Sequence, residues 1–161
     1  MRIGIDAREL AGKPTGVGRY LTGLLREWAS LDAARAHQFL LFSHEPIAPD
    51  TARFDVRLVP GAGGTAWEQQ QLARQVATDR IDVLFSPAYS TPLFTRVPRV
   101  VALHDISFVA RPEWFHWREG LRRRVLAKRA ANAARTVITI SEFSKQEIVA
   151  RLGVPAARVR V

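Results

Sequence analysis

His104 and Asp105 close an apolar run at residues 99–104 (RVVALH), and they form the pair in this chain best placed to do chemistry. In an open α/β sheet, ligands bind outside the carboxyl ends of the strands. A His and an Asp at such an end can hydrogen-bond sugar hydroxyls or move a proton. The plain alternative is a structural histidine that ends a strand. A second feature is the segment Gly12-Lys13-Pro14-Thr15-Gly16-Val17-Gly18-Arg19-Tyr20. Glycines let backbone approach a ligand, and free N–H groups at a helix start attract anions. It is not a Walker loop, because Pro14 follows Lys13 and the upstream glycine is missing. The dinucleotide fingerprint also fits badly: Leu21 takes the third glycine's place, and residues 7–15 separate the glycines from the strand before them. The segment is either an anion-accepting loop or a flexible strand-to-helix connection.

Three further segments carry polar groups. Ser86-Pro87-Ala88-Tyr89-Ser90-Thr91-Pro92 follows a strand end, where its hydroxyls and ring can line a polar pocket or simply form a Pro-rich loop. In Ser141-Glu142-Phe143-Ser144, either serine can cap the helix that follows. No Gly-x-Ser-x-Gly elbow surrounds either one, so hydrolase chemistry has no support. The stretch from Trp117 to Arg129 is strongly basic, with Arg122, Arg123, Arg124, Lys128 and Arg129 as residues that could meet an anionic membrane surface. Trp114, Trp117, Leu121 and Val125 form an apolar stripe along it. That stripe is expected to pack on the sheet and leave the basic residues to solvent. Without a nucleic-acid motif the charge does not argue for DNA or RNA. His37, His44 and His116 have no comparable partners, and no His pair has metal-ligand spacing.

These groups need a scaffold, and the hydrophobic pattern supplies one. Apolar runs at residues 2–6, 38–43, 56–59, 81–86, 99–104 and 136–140 alternate with helical periodicities, as in a parallel sheet covered on both faces. Helices are expected from Gly16–Gly18 onward, from 65 to about 78, over 114–134, and from Ser141 or Ser144 to Leu152. Thr65-Ala66-Trp67-Glu68 has capping-box spacing. Gly153 and Pro155 supply stop signals. Residues 159–161 read as the start of another strand, so the chain is expected to be one half of a longer protein. The fold class is α/β: a doubly wound, mainly parallel, Rossmann-like sheet of six or seven strands, with 1–161 as a single domain.

Composition sets the outer limits. The chain has 161 residues, with 24 Lys+Arg against 15 Asp+Glu, hence a formal net charge of +9. That excess favours anionic partners. No cysteine is present, which excludes disulfides, thiolate metal sites and cysteine nucleophiles. No apolar run approaches the roughly 20 residues that span a bilayer. The N-terminus has no signal-peptide pattern, so a cytoplasmic location is expected, with the basic helix admitting a peripheral place on the inner membrane face.

Read in order, IGIDAREL, TGVGRYLTGLLREW, WEQQQLARQ, IDVLFSPAYSTP, VVALHDISFVARPEWF and VITISEFSKQEIVARLGVPAARVRV resemble the N-terminal half of family 4 retaining glycosyltransferases, including the mannosyltransferase-like branch. The similarity runs through essentially the whole chain. It implies one half of a two-domain GT-B enzyme that moves a hexose from a nucleotide-sugar donor to a hydroxyl on a glycan or lipid-linked acceptor. The donor is a co-substrate and no cofactor is implied; the donor-binding C-terminal domain would be a partner outside this chain. The resemblance places Gly16, Val17, Gly18 and Arg19 near the donor diphosphate. It sets His104 near the transferred sugar with Asp105 beside it, and makes Glu68, Tyr89, Ser141 and Ser144 cleft residues on the acceptor side. The alternative from another class is a non-catalytic module that binds a nucleotide or an anion.

Overall fold

Strands whose two sides are both apolar can be buried only between two layers of helices, and the chain folds accordingly. The computed structural model describes residues 1–13, 15–49 and 52–161; Pro14 of the glycine-rich segment lies outside them. Strands β1 (Arg2–Asp6), β2 (Gln38–Ser43), β3 (Asp55–Leu58), β4 (Val83–Ser86), β5 (Arg99–Ala102), β6 (Thr136–Ile138) and β7 (Val159–Arg160) form one sheet in the order β3-β2-β1-β4-β5-β6-β7. Every pairing is parallel. The order reverses between β1 and β4, so the carboxyl ends of these two strands, at Asp6 and Ser86, open the crevice where such sheets take ligands.

Alternation along each strand assigns the layers. Phe39, Leu41, Phe85 and Ala102 face helix α1 (Gly16–Ser30), whose Leu21 and Leu25 are buried against them. The alternate residues Leu40, Phe42 and Leu84 face the other way, toward Trp67, Leu72 and Val76. Those three belong to a continuous helical stretch built from α2 (Thr65–Trp67), a π-helical turn (Glu68–Leu72) and α3 (Ala73–Thr78). Trp67 is anchored by its indole N–H, which donates to the Val59 carbonyl at 2.7 Å. On the same side a third cluster joins Val101, Val137 and Val159 to α5 (Trp117–Ala133) and α6 (Glu142–Leu152). A short helix α4 (Ser107–Ala110) precedes α5. Burying each large apolar side chain contributes about 1.5–3 kcal/mol before entropy is counted.

Three expectations about helices change. Thr65 does not cap: Gly64 takes the N-cap position with no side-chain bond, and the Glu68 carboxylate turns into the protein instead of back to the helix start. The long basic helix begins at Trp117 rather than Trp114, after a separate 3-10 turn at Pro112–Trp114. Its apolar stripe is also not the buried side. Gly120, Ala127, Ala130 and Ala131 face the core, because small residues let the helix lie close to the sheet. At the other end of the chain the stop signal works as expected. Gly153 adopts the left-handed conformation, φ 71°, and its N–H bonds the Val149 carbonyl.

Candidate active site

The carboxyl ends of β4 and β5 and the start of α1 enclose a cavity of about 480 Å³. Thr15 and Val17 come from the α1 start, Tyr89 from the loop after β4, and His104 and Asp105 from the end of β5. Phe115 and Arg123 close the far side. The His104 ring is held in place. Its Nε2 lies 2.9 Å from the Pro87 carbonyl, and a carbonyl can only accept, so Nε2 carries the hydrogen. In the neutral ring Nδ1 is then the acceptor. Tyr20 packs edge-on against the imidazole, with centroids 4.5 Å apart. Burial pushes the Tyr20 phenol above its ordinary range.

Asp105 is spoken for locally. Its Oδ1 accepts from the Ser107 N–H at 2.9 Å and from the Ser107 hydroxyl at 2.8 Å, the Asx turn that starts α4. Ser141 is the N-cap of α6 and accepts from the Ser144 N–H at 3.1 Å. The Ser144 hydroxyl lies 3.4 Å from the His104 carbonyl. Neither serine lines the cavity. Of the glycine-rich segment, Val17 reaches the cavity wall, Gly16 opens α1 with open space before it, Gly18 is buried and Arg19 is exposed. No carboxylate or side-chain cap occupies the first turn of α1, so its N–H groups remain able to meet an anion.

A smaller cavity of about 160 Å³ shares Glu9, Ala88 and Tyr89 with the first, and adds Arg8, Ser90 and Arg122. Beneath it lies a buried ionic cluster. Arg8 Nη2 pairs with Asp6 at 2.8 Å and with Glu68, and Nη1 donates to the Gly63 carbonyl at 3.3 Å. The Ser90 hydroxyl donates to Glu68 at 2.5 Å, and the Gln69 amide donates to Glu68 at 2.7 Å. Asp6 is 2 % exposed and Glu68 0 %. Burial pushes the Asp6 carboxyl up to about 6, against the pull of Arg8 and with a push from Glu68. Burial works against the Arg8 charge, yet the two carboxylates raise its pKa above the ordinary range. Sequence reasoning picked out Glu68 but missed Asp6 and Arg8. An Asp that ends the first strand, followed two residues later by an Arg, was the available signal.

Gly63 shows how tightly the loop over this cluster is fitted. Its φ is +69°, and a Cβ there would lie 2.5 Å from the His44 ring. Gly63→Ala is therefore expected to destabilise the fold by about 1–3 kcal/mol, from backbone strain and overpacking together. Urea denaturation measures it, and an unchanged midpoint refutes the close fit.

The basic residues divide. Arg123 turns inward, paired with Glu119 at 2.5 Å and lying over the Tyr89 and Phe115 rings at 5.6 and 5.7 Å; it belongs to the cavity rather than to an outer surface. Arg122 donates to Thr65 Oγ1 at 3.0 Å. Lys128 and Arg129 are exposed and Arg124 is partly so. Among the described residues there is no group of three or more His, Cys, Asp or Glu able to hold a metal ion. None of their helices is long and apolar enough to cross a membrane.

Comparison with known proteins agrees with this architecture. The family model described as Glycosyltransferase Family 4 matches residues 14–161. The structure of Anabaena HepE in complex with UDP-glucose superposes with a TM-score of 0.63 at 20 % identity, covering 99 % of this chain and 42 % of that one. The apo form of the lipopolysaccharide outer core galactosyltransferase WaaB superposes with a TM-score of 0.54 at 11 % identity, covering 100 % of this chain and 45 % of that one. The chain thus spans less than half the length of either, and its fold matches the Rossmann-like half of GT-B glycosyltransferases. No curated protein matches its sequence.

Proposed function

Because this chain belongs to Glycosyltransferase Family 4, we propose that it is the acceptor-side half of an enzyme that transfers a hexose from a nucleotide-sugar to a hydroxyl acceptor, with retention of configuration. The observation that carries this reading is the single cavity shared by His104, Tyr89 and the α1 start at the carboxyl ends of β4 and β5. His104 Nδ1 accepts a hydrogen bond from a sugar hydroxyl. The N–H groups of Gly16, Val17 and Gly18 meet the diphosphate as negative charge develops on the leaving group. Tyr89 and Phe115 give a sugar ring apolar faces to rest on. Transfer runs by front-face substitution: the bond from the anomeric carbon to the diphosphate breaks, the acceptor oxygen bonds the same face, and its proton passes to the departing phosphate.

The donor in this reading is bound mainly by a second domain, which fits the share of HepE and WaaB that the chain covers. A UDP-sugar is the first donor to try, since HepE is described in complex with UDP-glucose. The acceptor is a glycan or lipid-linked precursor, and the reaction is cytoplasmic. In the two-domain enzyme His104→Ala is expected to lower turnover about ten- to a hundredfold, the size of one or two lost hydrogen bonds at the transition state, with an unchanged melting temperature. Unchanged turnover refutes the role. One observation favours a second reading: Asp105 is committed to Ser107, as it would be in a module that binds a nucleotide-sugar without turning it over. Donor binding without transfer or hydrolysis would establish that module.

A further inference from the structure

The two cavities adjoin at Glu9, Ala88 and Tyr89, which line both. Beyond that shared wall the smaller one is bounded by Thr65, Ser90 and Arg122, with the buried Arg8 beneath. Its volume of about 160 Å³ is the liquid share of about five waters, room for one sugar ring. Two charged side chains facing it keep bonding capacity free. Glu9 is half-buried, and among the described residues no hydrogen bond or ion pair holds its carboxylate. It lies near enough for its charge to act on Asp6 and Arg8 below. Arg122 is exposed and donates to Thr65 Oγ1 at 3.0 Å. It has no ion-pair partner among the described residues, so most of the N–H donors of its guanidinium are open.

We propose that the smaller cavity holds the terminal sugar of an uncharged glycan acceptor, with Glu9 and Arg122 bonding its hydroxyls and Glu9 setting the specificity. A carboxylate accepts from two hydroxyls on neighbouring ring carbons, and a guanidinium fork donates to two oxygens at once. Charge selects the ligand. The open acid and the open base offset each other, so a neutral polyol leaves neither without a counterpart. A phosphate drawn to Arg122 would also approach three carboxylates, Glu9, Asp6 and Glu68, with Arg8 already shared between the last two. Like charges brought together in this way reject a partner. An ammonium drawn to Glu9 would meet Arg122 by the same rule. A ring in this cavity lies across Glu9 and Tyr89 from His104 and the α1 start, which is where an acceptor must sit to reach a sugar held in the larger cavity. The word acceptor rests on the transfer reading above; recognition of the sugar does not.

The test is an NMR titration of the chain with the methyl glycosides of glucose, galactose and mannose. Inorganic phosphate and methyl glucosaminide in its ammonium form serve as the charged counterparts. At least one neutral glycoside is expected to shift the amide signals of Glu9, Thr65 and Tyr89, with a Kd in the millimolar range. Phosphate and the ammonium sugar should bind there at least about tenfold more weakly. Glu9→Gln keeps the size of the side chain but not its charge, and should weaken glycoside binding about tenfold; Arg122→Ala should do the same. Neither side chain is buried, and thermal unfolding checks that both variants fold. In the two-domain enzyme Glu9→Gln should raise KM for a glycan acceptor by a similar factor. No shift from any glycoside at about 0.1 M overturns the proposal, as does phosphate shifting the same signals more strongly than every glycoside. Unaltered glycoside affinity in Glu9→Gln overturns it too. The titration contains no donor, so glycoside binding at this cavity in a protein that transfers nothing would sink the transfer reading and leave the sugar site standing.

Discussion

Arg8→Met is expected to lower the unfolding free energy by about 3–5 kcal/mol. Methionine keeps most of the side-chain volume, so packing is not the cause. What is lost is the one cation between two carboxylates that water scarcely reaches: Asp6 at 2 % and Glu68 at 0 % exposure. Their remaining donors are neutral: the Ser90 hydroxyl and the Gln69 amide serve Glu68, and Asp6 keeps only the backbone N–H of residue 8 at 3.4 Å. Arg8→Lys should recover only part of the loss. An ammonium is a point charge, whereas the guanidinium fork bonds Asp6, Glu68 and the Gly63 carbonyl from separate directions. Guanidinium denaturation of the parent and both variants at neutral pH measures this. A loss below about 1 kcal/mol for Arg8→Met would match an exposed ion pair and refute the buried cluster.

The same cluster makes stability fall, not rise, across the mildly acidic range. Asp6 titrates near its ordinary 3.8 in the unfolded chain, but its burial raises the folded value to about 6. Between these values the folded state binds more protons. Its contribution is therefore complete below pH 4, is lost as pH rises through 6, and is flat above that. The shift corresponds to about 3 kcal/mol. Asp6→Asn removes the titration, so its stability relative to the parent should improve steadily from pH 4 to pH 6 and then level off. Thermal unfolding of both proteins in steps across this range tests it. A constant difference would mean that Asp6 ionises like a surface carboxylate and that Arg8 outweighs its burial.

Local sequence determined the scaffold of this protein. The unbroken apolar runs of QFLLFS, VLFS and RVVA specify strands buried on both sides, and the helical spacing of Leu21 and Leu25 specifies a covering helix. These signals are carried by neighbours in the chain, so the sheet, its parallel class and the position of His104 at a strand end could all be read directly. The ordered phrases along the chain also sufficed to point to the family. Tertiary structure alone decided the rest. Arg8 meets Glu68 across 60 positions and Ser90 across 82, and no local pattern encodes such a meeting. A capping-box spacing at Thr65 was therefore overruled by a buried guanidinium that offered Glu68 a stronger partner. Helix α5 shows the other limit. Its most hydrophobic line, Trp117, Leu121 and Val125, faces outward, because the sheet accepts a close-lying helix only through Gly120, Ala127, Ala130 and Ala131. Hydrophobicity ranks faces by transfer energy, but contact with a sheet is also decided by how near a backbone can come, and that is a property of two surfaces together.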